Sequence, residues 1–133
     1  MTPLSQVVLS LGSNVPGRHE MLMACLVWLR EHGLEGMRCS TLYTTPALRP
    51  GKPDYMNAVV AGSTALQRDE LEDALKRYEQ ACGRNADMRR RGLVPIDVDI
   101  VMWNGTVLRN QDFQQQFFQI GWTQINDSHD ATH

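Results

Sequence analysis

Pro95-Ile96-Asp97-Val98-Asp99-Ile100-Val101-Met102-Trp103 is the stretch on which the fold turns. In an extended chain successive side chains leave on opposite sides, so Ile96, Val98 and Ile100 share one face while Asp97 and Asp99 share the other, ~7 Å apart. Such a strand sets one face in a core and presents the other to solvent or a ligand. It predicts the last strand of a regular alternation of strands and helices.

Upstream lies the polar, basic segment Arg84 to Gly92, and before it a helix over Asp69 to Cys82. Leu71, Ala74, Leu75, Tyr78 and Ala81 form one stripe of that helix, Glu72 and Lys76 form an i,i+4 pair, and Gly83 stops it. Two β-rich runs, Met37 to Thr44 and Tyr55 to Thr64, flank Thr45 to Asp54, a Pro- and Gly-containing connection too long for a hairpin turn and therefore a candidate functional loop. An earlier helix spans Gly17 to His32, with Met21, Leu22, Cys25, Leu26, Trp28 and Leu29 three and four apart and Gly33 behind it. The first strand, Leu4 to Leu11, ends on the turn cluster Gly12-Ser13-Asn14.

The order β-α-β-β-α-β predicts an α+β domain of ferredoxin-like (βαββαβ) type: an antiparallel sheet with both helices on one face and the other face free for a ligand. Downstream come a turn at Asn104-Gly105 and a short strand around Val107. Asp112 to Ile125 mixes Gln with Phe117, Phe118, Ile120 and Trp122 and yields no assignment. Residues 1–125 read as a single domain and 126–133 as a polar tail expected to fray.

With 133 residues, such a domain buries roughly two-thirds of its unfolded surface and needs no staples. Thirteen Lys and Arg against 15 Asp and Glu give a net charge of −2, which argues against nucleic acid or an acidic membrane as partner. The longest apolar run, Met21 to Leu29, is far short of the ~20 residues of a membrane span, and no basic region followed by an apolar stretch opens the chain. Cys25, Cys39 and Cys82 lie in apolar patterns without CxxC spacing and read as reduced core residues, so a cytoplasmic location is expected. His19, His32, His129 and His133 show no ligand spacing, and neither GxxxxGK[ST] nor GxGxxG occurs.

Two same-side carboxylates suit a hard cation such as Mg²⁺, which takes few protein ligands and fills its shell with water and phosphate oxygens. Taken alone, such a pair more often just solvates an exposed face. Arg84, Arg89, Arg90 and Arg91 shift that balance, because fork-shaped cations beside a metal site suggest a polyphosphate. Glu79 is placed to form a surface ion pair with Arg84 or to reach a nucleotide. Tyr55 and Asn57 repeat the same-side geometry at the start of their strand, where an aromatic face and an amide suit a flat heteroaromatic ring.

Together these motifs resemble the 6-hydroxymethyl-7,8-dihydropterin pyrophosphokinase (HPPK) family, over about Val8 to Val107. The resemblance is carried by Leu11-Gly12-Ser13-Asn14, Tyr43-Thr44-Thr45-Pro46-Ala47-Leu48, Pro53-Asp54-Tyr55-Met56-Asn57-Ala58, Glu79 with Gly83-Arg84, and Pro95-Ile96-Asp97-Val98-Asp99-Ile100. It implies a ferredoxin-like core and transfer of the β,γ-pyrophosphoryl group of ATP to the pterin hydroxymethyl oxygen, with AMP as product. It further implies that Asp97 and Asp99 hold two Mg²⁺ ions, that Tyr55 and Phe117 or Phe118 stack on the pterin, and that Asn57, Thr45, Pro46 and Leu48 contact it. Arg84 and Arg90 then serve as phosphate-binding catalytic arginines, and Glu79 and Ile100 as nucleotide contacts.

The sequence departs from the family where Gly92-Leu93-Val94 replaces the usual Gly-Pro-Arg, with Arg89 or Arg91 as substitutes for the lost cation. It also departs in Gln111 to Gln116, where a His and an Arg are expected, and in a missing C-terminal helical extension. A non-catalytic pterin- or nucleotide-binding module and an interaction domain on the same scaffold stay open as alternatives, as does the oligomeric state.

Overall fold

Strand β1 (Ser5–Ser13) is the centre of the sheet, and both its faces are buried from Val7 onward. Val7, Leu9 and Leu11 point to one side and Val8 to the other, all buried. The structure, a computed structural model, describes residues 3–47 and 50–131, with side chains described to residue 126. In chain order the remaining elements are α1 (Arg18–His32), β2 (Glu35–Cys39), β3 (Tyr43–Thr45), β4 (Tyr55–Thr64), α2 (Arg68–Ala81), α3 (Ala86–Arg90), β5 (Asp97–Trp103), β6 (Thr106–Val107), α4 (Asn110–Gln114) and α5 (Gln116–Ala131).

Among the described residues the sheet has six strands in the order β2-β4-β1-β5-β6, with β3 following β2 along the same edge of β4. Every pairing is antiparallel. The four core strands and two crossing helices therefore take the ferredoxin-like arrangement that the order of elements predicts. The β5–β6 hairpin turns on Asn104 (φ 48°) and Gly105 (φ 82°), the two positive-φ residues that a tight, sheet-twisted turn demands.

One core lies between the sheet and α1 and α2. Leu22, Cys25 and Leu29 of α1 and Leu71 and Leu75 of α2 pack on Val7, Leu9, Leu11, Ala58, Val60, Val98 and Ile100. The second face is where expectation and structure part. Instead of standing free, it is partly covered by α5, whose Phe118 and Ile125 join Val8, Val59, Ala61 and Val101 in a second core, with Phe113 and Trp122 at its margin. Phe118, Gly121, Trp122 and Ile125 are spaced three and four apart, a helical stripe diluted by the intervening Gln residues. α5 runs on to Ala131.

The predicted strand Met37 to Thr44 breaks in two at Ser40. Its hydroxyl accepts the Val59 N–H (2.9 Å) and donates to the Thr41 carbonyl (2.8 Å), so a side chain takes over part of the ladder. Cys25 is buried in the core and Cys82 packs partly buried against it, as the sequence suggests, whereas Cys39 is exposed on the edge strand, which corrects its assignment to the core. Among the described residues no helix is long and apolar enough to cross a membrane.

Gly121 sets how closely α5 can approach the sheet. A Cβ there would stand 2.6 Å from Val59 Cγ2 and 2.8 Å from the Tyr43 hydroxyl, which itself accepts the Gly121 N–H at 3.1 Å. Alanine would gain ~1 kcal/mol of helix propensity, but overpacking against a branched side chain costs ~1–3 kcal/mol. Gly121→Ala is therefore expected to lower the melting temperature, measured by circular dichroism; an unchanged or raised value would show that α5 does not seat on Val59.

Candidate active site

The strand register brings the predicted residues together. Gly12 of β1 lies opposite Asn57 of β4 on one side and Asp97 of β5 on the other, and Ser10 lies between Val59 and Asp99. With neighbouring strands ~4.8 Å apart, Asn57 and Asp97 sit ~10 Å apart along one row, on the face that α5 leaves uncovered at this end. Gly12 keeps the middle of that row low. A Cβ at Gly12 would lie 3.4 Å from both the Tyr55 ring and Asn57 Oδ1. The result is a cavity of about 670 Å³, floored by Gly12 and walled by the two loops and the start of α5.

On the β4 side the wall suits a flat polar ring. Asn57 is buried and donates through Nδ2 to Thr45 Oγ1 at 2.7 Å, which fixes the amide before any ligand arrives. Tyr55, Pro46 and Phe117 also line this end. Phe117 is held from behind, its carbonyl accepting the Tyr43 hydroxyl. Burial, reinforced by the nearby Asp97 carboxylate and opposed by Arg84, raises the Tyr55 phenol pKa, so the phenol stays neutral. Leu48 lies outside the described residues.

The β5 side is built on charge. Asp97 and Asp99 both line the cavity. Arg84 Nη1 donates to Asp97 Oδ1 (3.3 Å) and to Glu79 Oε1 (3.2 Å), while Glu79 Oε2 accepts the Val98 N–H at 2.8 Å. Glu79 is thus paired with Arg84, as one reading of the sequence has it, but at 9% exposure it is a buried tie and not a surface pair, and it does not line the cavity. Burial first, and the Asp97 charge with it, outweighs the Val98 N–H and Arg84 and pushes its pKa up to about 7. Asp99 is likewise raised to about 7, by burial and then by Asp97, against the opposing Arg109 guanidinium 3.9 Å away.

Two close, half-buried carboxylates, Asp97 raising the proton affinity of Asp99, form a donor set that a hard cation would relieve. Among the described residues no group of three or more His, Cys, Asp or Glu converges into a cage. A hard cation such as Mg²⁺ takes few protein ligands and would need no such cage.

Several residues stand elsewhere than the sequence suggested. Arg90 projects from α3 to Asp87 (3.3 Å), 75% exposed, and Arg91 also pairs with Asp87, so neither lines the cavity; Arg89 does. Ile100 faces the α1–α2 core, because strand alternation sends it opposite to Asp99. Arg109, Asp112 and Lys52 line the cavity without having been singled out. Arg109 and Asp112 form a salt bridge three residues apart beside Asp99, and the i,i+3 charge pair was the only signal for it. Asn14, given no role of its own by the sequence, is 1% exposed and clamps the second loop. Its Nδ2 donates to the Gly92 carbonyl (2.9 Å) and its Oδ1 accepts the Val94 N–H (2.6 Å).

Because Glu79 and Asp99 hold protons more tightly folded (pKa about 7) than at their ordinary values of 4.5 and 3.8, the native state binds more protons across that window. Their contribution to stability is therefore greatest at low pH and is lost as pH rises through 7. The metal-free protein is expected to melt lower at about pH 8 than at about pH 5.5, and Asp99→Asn to raise the melting point at the higher pH by about 4 °C, the shift ~1 kcal/mol gives a domain of this size. A destabilised Asp99→Asn protein would show that Asp99 is a structural partner of Arg109 and not a strained ligand.

Residues 8–127 match a family model described as 7,8-dihydro-6-hydroxymethylpterin-pyrophosphokinase (HPPK). Over 101 residues the chain is 38% identical to the 2-amino-4-hydroxy-6-hydroxymethyldihydropteridine pyrophosphokinase of Pseudomonas putida, covering 74% of this chain and 82% of that one. It is 35% identical over 103 residues to the folate synthesis bifunctional protein of Arabidopsis thaliana and 36% over 109 residues to that of Chlamydia trachomatis. Both matches cover 77% of this chain and only 21% and 24% of the relatives. The chain thus spans less than a quarter of the length of these bifunctional relatives.

Proposed function

On the premise that the chain belongs to the 7,8-dihydro-6-hydroxymethylpterin-pyrophosphokinase family, we propose that it transfers a pyrophosphoryl group from ATP to 6-hydroxymethyl-7,8-dihydropterin. The observation that carries this reading is the single row across three strands in which a preset amide (Asn57), a bare glycine (Gly12) and a carboxylate (Asp97) follow one another in one cavity. Asn57 and Thr45 recognise the polar edge of the ring, Tyr55 and Phe117 contact its faces, and Gly12 gives it a flat floor. The hydroxymethyl arm is thereby aimed at the β5 carboxylates.

In the transfer, the hydroxymethyl oxygen bonds to the β-phosphorus, the bridge to the α-phosphorus breaks, AMP leaves and the hydroxyl proton passes to solvent. Such a reaction asks for alignment and charge neutralisation more than for a covalent residue. Asp97 and Asp99 would hold two Mg²⁺ ions, which supply positive charge to the phosphate oxygens when bound. Arg84, anchored by Glu79, presents its guanidinium beside Asp97, and Arg89 adds a cation from α3. Cytoplasmic residence, where ATP and reduced thiols are at hand, is part of the same proposal.

AMP release from ATP is expected to depend on both the pterin and Mg²⁺, and Asp97→Ala is expected to lower it by ~10³ or more. A purified protein that binds the pterin but releases no AMP would overturn transfer. It would favour the second reading, binding without chemistry, which has its own support in the apolar Leu93 and Val94 on the cavity wall.

A larger side chain at Gly12 would stand in the ring slot and leave the β5 side untouched. Gly12→Leu is expected to weaken pterin binding by at least about tenfold, roughly the loss of one well-made contact, with ATP affinity within about threefold of wild type, both by calorimetry. Equal losses for the two ligands would remove Gly12 from the ring site.

A further inference from the structure

Lys52 lies on the first loop, between β3 and β4, yet its side chain reaches the second loop. A Cβ built on Gly92 (φ +72°) would fall 2.6 Å from Lys52 Cδ, 2.8 Å from Cε and 2.9 Å from Nζ, so the lysine stem crosses directly over that glycine. Gly92 is a fixed platform. Asn14 holds its carbonyl, and its N–H donates to the Arg89 carbonyl at 3.1 Å. The ammonium is thereby laid along the cavity wall that Leu93 and Val94 leave without charge.

The balance of charge singles out this residue. Of the cations lining the cavity, Arg84 is neutralised by Glu79 and Asp97, and Arg109 by Asp99 and Asp112. Lys52 is half-buried and takes part in no ion pair among the described residues, whereas Arg89, the other unpaired cation, is exposed on α3. Holding an ammonium partly out of water without an acid partner is unfavourable unless an anion completes the site.

We propose that Lys52 is a phosphate-binding residue, supplying from the first loop the positive charge that the second loop lacks at Val94. The anion it takes is the polyphosphate tail of a nucleoside triphosphate, so the inference rests on the nucleotide-binding part of the reading above.

The test is calorimetry of the full chain with Mg²⁺, using tripolyphosphate, ATP and the pterin as separate probes. Lys52→Met, which keeps the stem and removes the charge, is expected to weaken tripolyphosphate and ATP about ten- to a hundredfold, the loss of one charge-assisted contact, with pterin affinity and melting temperature unchanged. Lys52→Arg is expected to stay within about threefold of wild type. A Lys52→Met protein that binds both phosphates like wild type overturns the proposal and leaves the transfer reading intact. Lys52-dependent phosphate binding without AMP release sustains the proposal and overturns transfer. A wild-type protein that binds neither phosphate overturns both.

Discussion

The buried carboxylate of Glu79 is the constraint around which the site is organised. An ion held out of water needs partners, and those of Glu79 come from two other parts of the chain: the Val98 N–H on the open edge of β5 and the Arg84 guanidinium beyond the end of α2. The first bond docks the C-terminal turn of α2 against the strand and satisfies an edge donor that would otherwise be free to pair with another strand. The second holds Arg84 where it also reaches Asp97. One side chain thus sets the helix, the strand edge and the cation beside the first carboxylate.

With β5 held in that way, the two faces of the sheet serve different ends. The α1–α2 face is closed by apolar side chains throughout. The opposite face is closed only at one end, by Phe118, Trp122 and Ile125 of α5, and its other end becomes the cavity. Tyr43 and Gly121 govern where the covered part stops, since the helix can approach only because residue 121 has no side chain and because the tyrosine hydroxyl takes its N–H. The carboxylates stand at the open end, close enough that Asp97 raises the proton affinity of Asp99. Carboxylates held this close and partly buried carry a cost in native stability.

The cavity is also assembled from loops that the strands alone do not hold. Asn14 closes the second loop onto β1 through three hydrogen bonds, two from its amide and one between its N–H and the Val94 carbonyl. The Lys52 stem of the first loop crosses the same platform. Loops anchored on a sheet in this manner carry recognition without disturbing the core beneath them.

The amino-acid sequence by itself determined the alternation in β5, the pairing of Tyr55 with Asn57, the stripe of α2 and hence the βαββαβ order, because each is a local periodicity of two or 3.6 residues that a short window contains. It also determined that Asp97 and Asp99 share a face with each other and not with Ile100. What only the tertiary structure decided was which residues meet from distant segments: Arg109 and not Arg90 beside Asp99, Glu79 buried beneath the site, α5 lying across half of the sheet, and Lys52 over Gly92. These depend on strand register, on the depth to which a helix can seat and on the closure of two loops, and no pattern within any one segment encodes the distance between two of them.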